Sequence, residues 1–137
     1  MAAADHTQAP PRRRARLAWI IPLLLAAWTA GMLALTMAPL EEMRAGISFS
    51  ITKLGHTVLF FGWTVLAGLY VMVFRGNWGV RLVPLLIAGT LFGAAIELAQ
   101  LLLPFARSAR FLDVVMNAIG AAAGCLVLQR LRRRYGE

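Results

Sequence analysis

The chain has 137 residues, of which 60% are hydrophobic and 15% charged, and its mean hydropathy is +0.70. Soluble domains are only about 45–50% apolar and about 25% charged, and a globule of this length has no interior large enough for the excess, so the composition indicates a membrane protein with one domain. The balance of 14 Lys+Arg against 6 Asp+Glu gives +8, but the basic residues form short clusters between apolar runs and no aromatic is interleaved for base stacking. Nucleic acid is therefore not an expected partner. The single cysteine, Cys125, excludes an intrachain disulfide, a CxxC redox pair and a thiolate zinc cage.

In chain order, residues 1–16 read as a disordered basic tail in which Pro10-Pro11 precedes Arg12, Arg13, Arg14 and Arg16. The tail is similar to the start of a signal peptide. The apolar run behind it is longer than the usual h-region of about 7–15 residues, so a retained anchor is expected. That first run extends from about Leu17 to Ala38 and stops at Pro39. A second extends from about Leu54 to Phe74, a third from Leu82 to Leu103 and a fourth from Phe111 to Leu128. Each suits a helix crossing a hydrocarbon core of about 30 Å, which takes about 20 residues. The runs are continuous rather than alternating, which argues against a β-barrel, and in lipid the backbone must satisfy its own hydrogen bonds. The expected fold is all-α: a four-helix transmembrane bundle over residues 17–131, followed by a basic tail at 132–137. The connections, about Pro39–Lys53, Arg75–Arg81 and Pro104–Arg110, are short, so sequential helices should be antiparallel neighbours.

Orientation follows from the basic residues. Arg12, Arg13, Arg14, Arg16, Arg75, Arg81, Arg130, Arg132, Arg133 and Arg134 fall on one side of a four-span topology, and Arg44, Lys53, Arg107 and Arg110 on the other. The positive-inside rule then places both termini in the cytoplasm.

The polar residues inside the runs carry most of the chemical information, because ionisable groups in hydrocarbon are costly and usually face the bundle interior. Lys53 and His56 begin the second run, Glu97 and Gln100 end the third, and Arg107, Arg110, Asp113 and Asn117 span the last loop and the start of the fourth. All belong to the outer side. At 1.5 Å per residue, Glu97 and Asn117 each lie about 9 Å below the outer ends of their helices, which places the groups in one shallow layer. Helical spacing puts Gly89, Gly93, Glu97 and Gln100 on one face. It puts Asp113, Asn117, Gly120 and Gly124 on another. Small residues at i, i+4 let membrane helices approach closely, so the third and fourth helices are expected to pack through Gly93 and Gly120/Gly124. A His/Glu/Asp metal set is chemically possible, but there is no HExxH and no cluster of histidines, so neither metal nor other cofactor is expected. Ser48, Ser50 and Ser108 lie in no GxSxG elbow.

Lys53-Leu-Gly-His56, Glu97-Leu-Ala-Gln100 and the run Arg110-Phe-Leu-Asp113-Val-Val-Met-Asn117-Ala-Ile-Gly120 together resemble the VanZ-like family, over about residues 51–128. That family's pattern is an Asp-Lys-x-x-His at the start of one helix, Glu-x-x-Gln at the end of the next, and Arg then Asp-x-x-x-Asn entering the last. Thr52 stands here where the acid usually precedes the lysine. The resemblance implies a small integral protein of the bacterial cytoplasmic membrane, associated through its namesake with teicoplanin resistance and the cell envelope.

Three functions compete. In the first, the layer is an enzyme or binder at the outer leaflet, facing a membrane lipid or lipid-linked envelope precursor. His56 and Glu97 would be an acid/base pair and Asp113 would orient His56 or pair with an arginine, so His56, Glu97 and Asp113 are the candidate catalytic residues. Lys53, Gln100, Arg107, Arg110 and Asn117 would bind the substrate, the cations taking an anionic headgroup. In the second, the protein is a non-catalytic accessory subunit whose polar cluster locks the bundle or docks a membrane-protein partner. The third, a transporter or channel, is disfavoured because the inner halves of the helices lack polar steps.

Overall fold

The structure, a computed structural model, describes residues 12–37, 49–75, 80–103 and 110–135. It contains four helices: α1 (Arg12–Met37), α2 (Phe49–Arg75), α3 (Leu82–Leu102) and α4 (Phe111–Tyr135). Each is long and apolar enough to cross a membrane, and there is no strand among the described residues. The protein is therefore an all-helical multi-pass bundle.

Three helices are longer than the apolar runs. The backbone of α1 is helical from Arg12, so residues 12–16 are not the disordered segment expected, and residues 1–11 lie outside the described part. Arginine is a good helix former, and extending an existing helix by one residue costs far less than nucleating one, so the cluster continues the membrane helix back toward Pro11. By the same logic α4 runs through Arg132–Arg134 to Tyr135, where the C-terminal arginines also meet the negative end of the helix dipole. α2 begins at Phe49 rather than near Leu54.

Prolines punctuate the helices. Pro22 lies inside α1, a placement tolerated in membrane helices because neighbouring groups re-satisfy the freed carbonyl. Leu103, the C-cap of α3, is extended at φ −92 and ψ 127; it precedes Pro104, whose ring disfavours the helical region for the residue before it.

The most extensive contact is between α2 and α4, and α1 packs mainly on α2. Glycines set the closest approaches. A Cβ on Gly120 would collide with the backbone of Thr57 and Phe61, and one on Gly124 would come within 2.9 Å of Thr64 Cβ and 3.1 Å of Phe61 O. Gly120 and Gly124 therefore face α2, not α3 as expected from the stripe alone. Gly93 does face α4, where a Cβ would meet Asn117 Cβ at 2.9 Å, and Gly89 lies against Ala121 at 3.2 Å. Spacing identifies which residues are buried, but the partner of a small-residue face depends on how three helices share one core. The dual use of α4 explains the outcome: Ala121 turns to α3, Gly120 and Gly124, one turn apart, turn to α2, and Asn117 lies between, against Gly93 of α3 and His56 of α2.

Two apolar clusters hold the bundle. Met32, Phe60 and Ile96 join α1, α2 and α3, with Trp63 and Phe92 packed against them. Met72, Val80 and Leu128 close the opposite end, where the guanidinium of Arg132 donates to Val80 O at 3.5 Å. α1 is tied to α2 by two indoles: Trp28 Nε1 donates to Leu59 O at 2.9 Å and Trp63 Nε1 to Thr29 Oγ1 at 3.2 Å.

Candidate functional site

The first turns of α2 and α4 and the last turns of α3 and α1 meet at one end of the bundle and supply its polar layer. Lys53, His56, Glu97, Gln100, Asp113 and Asn117 are all buried there. Burial of this many polar groups requires partners, and the partners define the layer.

Asp113 is its centre. It lies in the first turn of α4, where the positive end of the helix dipole favours a carboxylate, and its own N–H donates to Arg110 O at 2.9 Å. Lys53 Nζ donates to Asp113 Oδ1 at 2.8 Å, joining α2 to α4 through a buried ion pair. The other carboxylate oxygen, Oδ2, stands 3.8 Å from His56 Nε2, beyond hydrogen-bond reach. On its far side, His56 places Nδ1 3.0 Å from Asn117 Oδ1. Lys53 and His56 lie one turn apart on α2, and Asp113 and Asn117 one turn apart on α4, so two i, i+3/i+4 pairs face each other.

Glu97 completes the set from α3. Its Oε2 accepts the backbone N–H of Arg110 at 3.1 Å, immediately before α4 begins. One ligand atom from each of His56, Glu97 and Asp113 lies within 4.8 Å of the others. The three candidate catalytic residues, from three helices, thus converge.

The expected binding residues separate. The lysine's ammonium is engaged by Asp113. Gln100 leaves the cluster: its Nε2 donates to Thr36 O at 2.7 Å and ties α3 to α1. Asn117 holds His56 and so belongs to the core of the layer. Arg110 was expected to pair its guanidinium with a carboxylate; instead the backbone N–H makes the bond to Glu97, and the side chain is exposed with no ion pair among the described residues. A residue at the very start of a helix can snorkel to the interface more cheaply than it can be desolvated. Arg107 lies outside the described residues.

Two threonines enter the account that the sequence left aside. Thr36 is buried and receives Gln100; its position in the last turn of α1, a helix with few polar groups, was the available signal. Thr64 lies two turns deeper than His56 on α2. Its Oγ1 and Asn117 Nδ2 are buried without a hydrogen-bond partner among the described residues, next to the glycine face of α3.

These features define a class: a small multi-pass helical membrane protein with one buried, partly ionic layer at a single end of the bundle. The chain belongs to the VanZ/LLP1 family, whose sequence profile matches residues 7–132, more of the chain than the motif-bearing stretch and including α1. No curated protein and no solved structure matches it.

Proposed function

We propose that the polar layer acts on or binds the anionic headgroup of a cell-envelope lipid or lipid-linked glycan precursor, at the outer leaflet of the bacterial cytoplasmic membrane. The observation that carries this reading is the convergence of His56, Glu97 and Asp113 within 4.8 Å at the bundle end where Arg110 is exposed. Arg110 offers bidentate contacts to phosphate or carboxylate, and Arg107, three positions earlier in the sequence, supplies a second guanidinium. His56 and Glu97 are the acid/base pair of this reading, Asn117 holds the imidazole at Nδ1, and Lys53 balances Asp113. The outward direction rests on the positive-inside rule, with ten basic residues on the opposite side against four here. Family membership supports an envelope role akin to glycopeptide tolerance.

A second reading, a non-catalytic accessory subunit, is favoured by the three bonds that each clamp two helices: Lys53 to Asp113, His56 to Asn117 and Gln100 to Thr36. Interhelical polar bonds of this kind stabilise membrane bundles without any chemistry.

Envelope precursor and lipid profiles of a deletion strain separate the two readings. The first expects a changed pool that is restored by the wild type but not by Glu97→Gln or Arg110→Gln at equal membrane abundance. An unchanged pool together with a missing membrane complex would establish the second. A Glu97→Gln protein that inserts normally and restores the strain fully leaves Glu97 as structural glue.

A further inference from the structure

We infer that His56 Nε2, Asp113 Oδ2 and a Glu97 carboxylate oxygen form a site for one divalent metal ion of the zinc type. The first argument is the state of the imidazole. With its proton on Nδ1 the imidazole donates to Asn117 Oδ1, 3.0 Å away, and Nε2 keeps its lone pair. That lone pair is on the side of Asp113 Oδ2, 3.8 Å away. Two acceptors facing each other across such a gap repel unless a cation lies between them.

The second argument is the donor set. A fixed imidazole with its other nitrogen held by a neighbouring oxygen is the usual arrangement behind a metal-ligating histidine. One histidine with two carboxylates suits zinc, and three protein ligands leave a fourth position open. Around an ion with bonds of about 2.0–2.2 Å, ligand atoms stand roughly 3.3–3.6 Å apart. The His56 Nε2–Asp113 Oδ2 separation is already 3.8 Å, and one ligand atom from each of the three residues lies within 4.8 Å of the others, so small side-chain rotations close the remainder. The ammonium of Lys53 sits on Oδ1, the other oxygen of Asp113. The ligands come from α2, α3 and α4, so the ion would staple three helices at one point.

This site goes beyond the headgroup reading and does not depend on it, since the ion is counted in protein purified without added lipid. The experiment uses tag-free full-length protein in detergent, stripped with a chelator and titrated with Zn2+ and Co2+. The expected result is one ion per chain, a visible Co2+ ligand-field spectrum without thiolate charge transfer, and a rise in melting temperature on Zn2+ addition. His56→Gln and Glu97→Gln should each weaken binding by at least ~10-fold, and Asn117→Ala, which touches no metal, by roughly 10–100-fold. Cys125→Ser should bind like wild type. Absence of saturable binding to the wild type overturns the site, whatever the variants do. So does binding that survives His56→Gln or disappears with Cys125→Ser. An intact metal site beside an unchanged lipid pool would leave the inference standing and remove the headgroup reading; the reverse pair of results would do the opposite.

Discussion

His56 and Asn117 hold each other across the α2–α4 interface, with Nδ1 and Oδ1 3.0 Å apart. With the proton on Nδ1 the imidazole donates to Asn117 and turns Nε2 toward Asp113. Nitrogen-15 NMR of labelled histidine should show the Nδ1–H tautomer in the wild type and lose it in Asn117→Ala. The lost bond should destabilise the bundle by about 0.5–1.5 kcal/mol. An Nε2–H tautomer in the wild type would reverse the amide orientation and the assignment with it.

Lys53 and Asp113 are both buried, and removing one partner leaves the other charge without its counterion. Lys53→Met should cost about 3–5 kcal/mol, measured by unfolding in mixed detergent, whereas Lys53→Met combined with Asp113→Leu should recover most of the loss. A double variant as unstable as the single would show that the pair contributes little and that Asp113 is needed for something else.

Glycine substitutions should divide sharply. Gly120→Leu drives a side chain into the backbone of Thr57 and Phe61 and should cost about 1–3 kcal/mol or more by overpacking. Gly31 and Gly55 have nothing within 4 Å of a built Cβ, so Gly31→Ala and Gly55→Ala should be neutral or stabilise by about 0.4–1 kcal/mol through reduced freedom of the unfolded chain. Thermal stability in detergent checks both; a tolerated Gly120→Leu would overturn the α2–α4 packing.

A four-span topology would place both chain ends on one side of the membrane, and the arginine distribution predicts that this side is the cytoplasm. Reporter fusions at Glu137 and near Ala109 should give opposite readouts, cytoplasmic at the first and external at the second. A cytoplasmic signal at Ala109 would invert the topology and move the polar layer to the inner leaflet.

Sequence reasoning reaches the four helices and the polar layer because the bilayer constrains both so strongly. Apolar run length gives the spans, and the expense of burying Lys53, His56, Glu97 and Asp113 requires that they meet. It does not reach the pairing among them. Lys53, rather than an arginine, takes Asp113 because its position on α2 faces the first turn of α4. Arg110, at a helix start, is free to turn outward while its backbone serves Glu97. Gln100 shares a face with Glu97, yet its longer reach along α3 ends at Thr36 on α1. Such choices depend on which helices are neighbours and at what rotation, which one sequence's periodicity does not encode. The helix ends differ for a simpler reason: the arginines of α1 and α4 propagate a helix that the hydrophobic run nucleates.

The Lys53–Asp113 pair spans 60 positions of the chain, and this separation has a consequence for biogenesis. At a synthesis rate of about 5–20 residues per second, α2 enters the membrane roughly 3–12 s before Asp113 leaves the ribosome. During that interval the lysine has no Asp113 to meet, and its flexible stem can carry the ammonium to the lipid–water boundary. Docking of α4 then draws it inward. The last span is therefore what closes the three helices before it around a paired lysine, and a nascent chain stalled before α4 would leave Lys53 without Asp113.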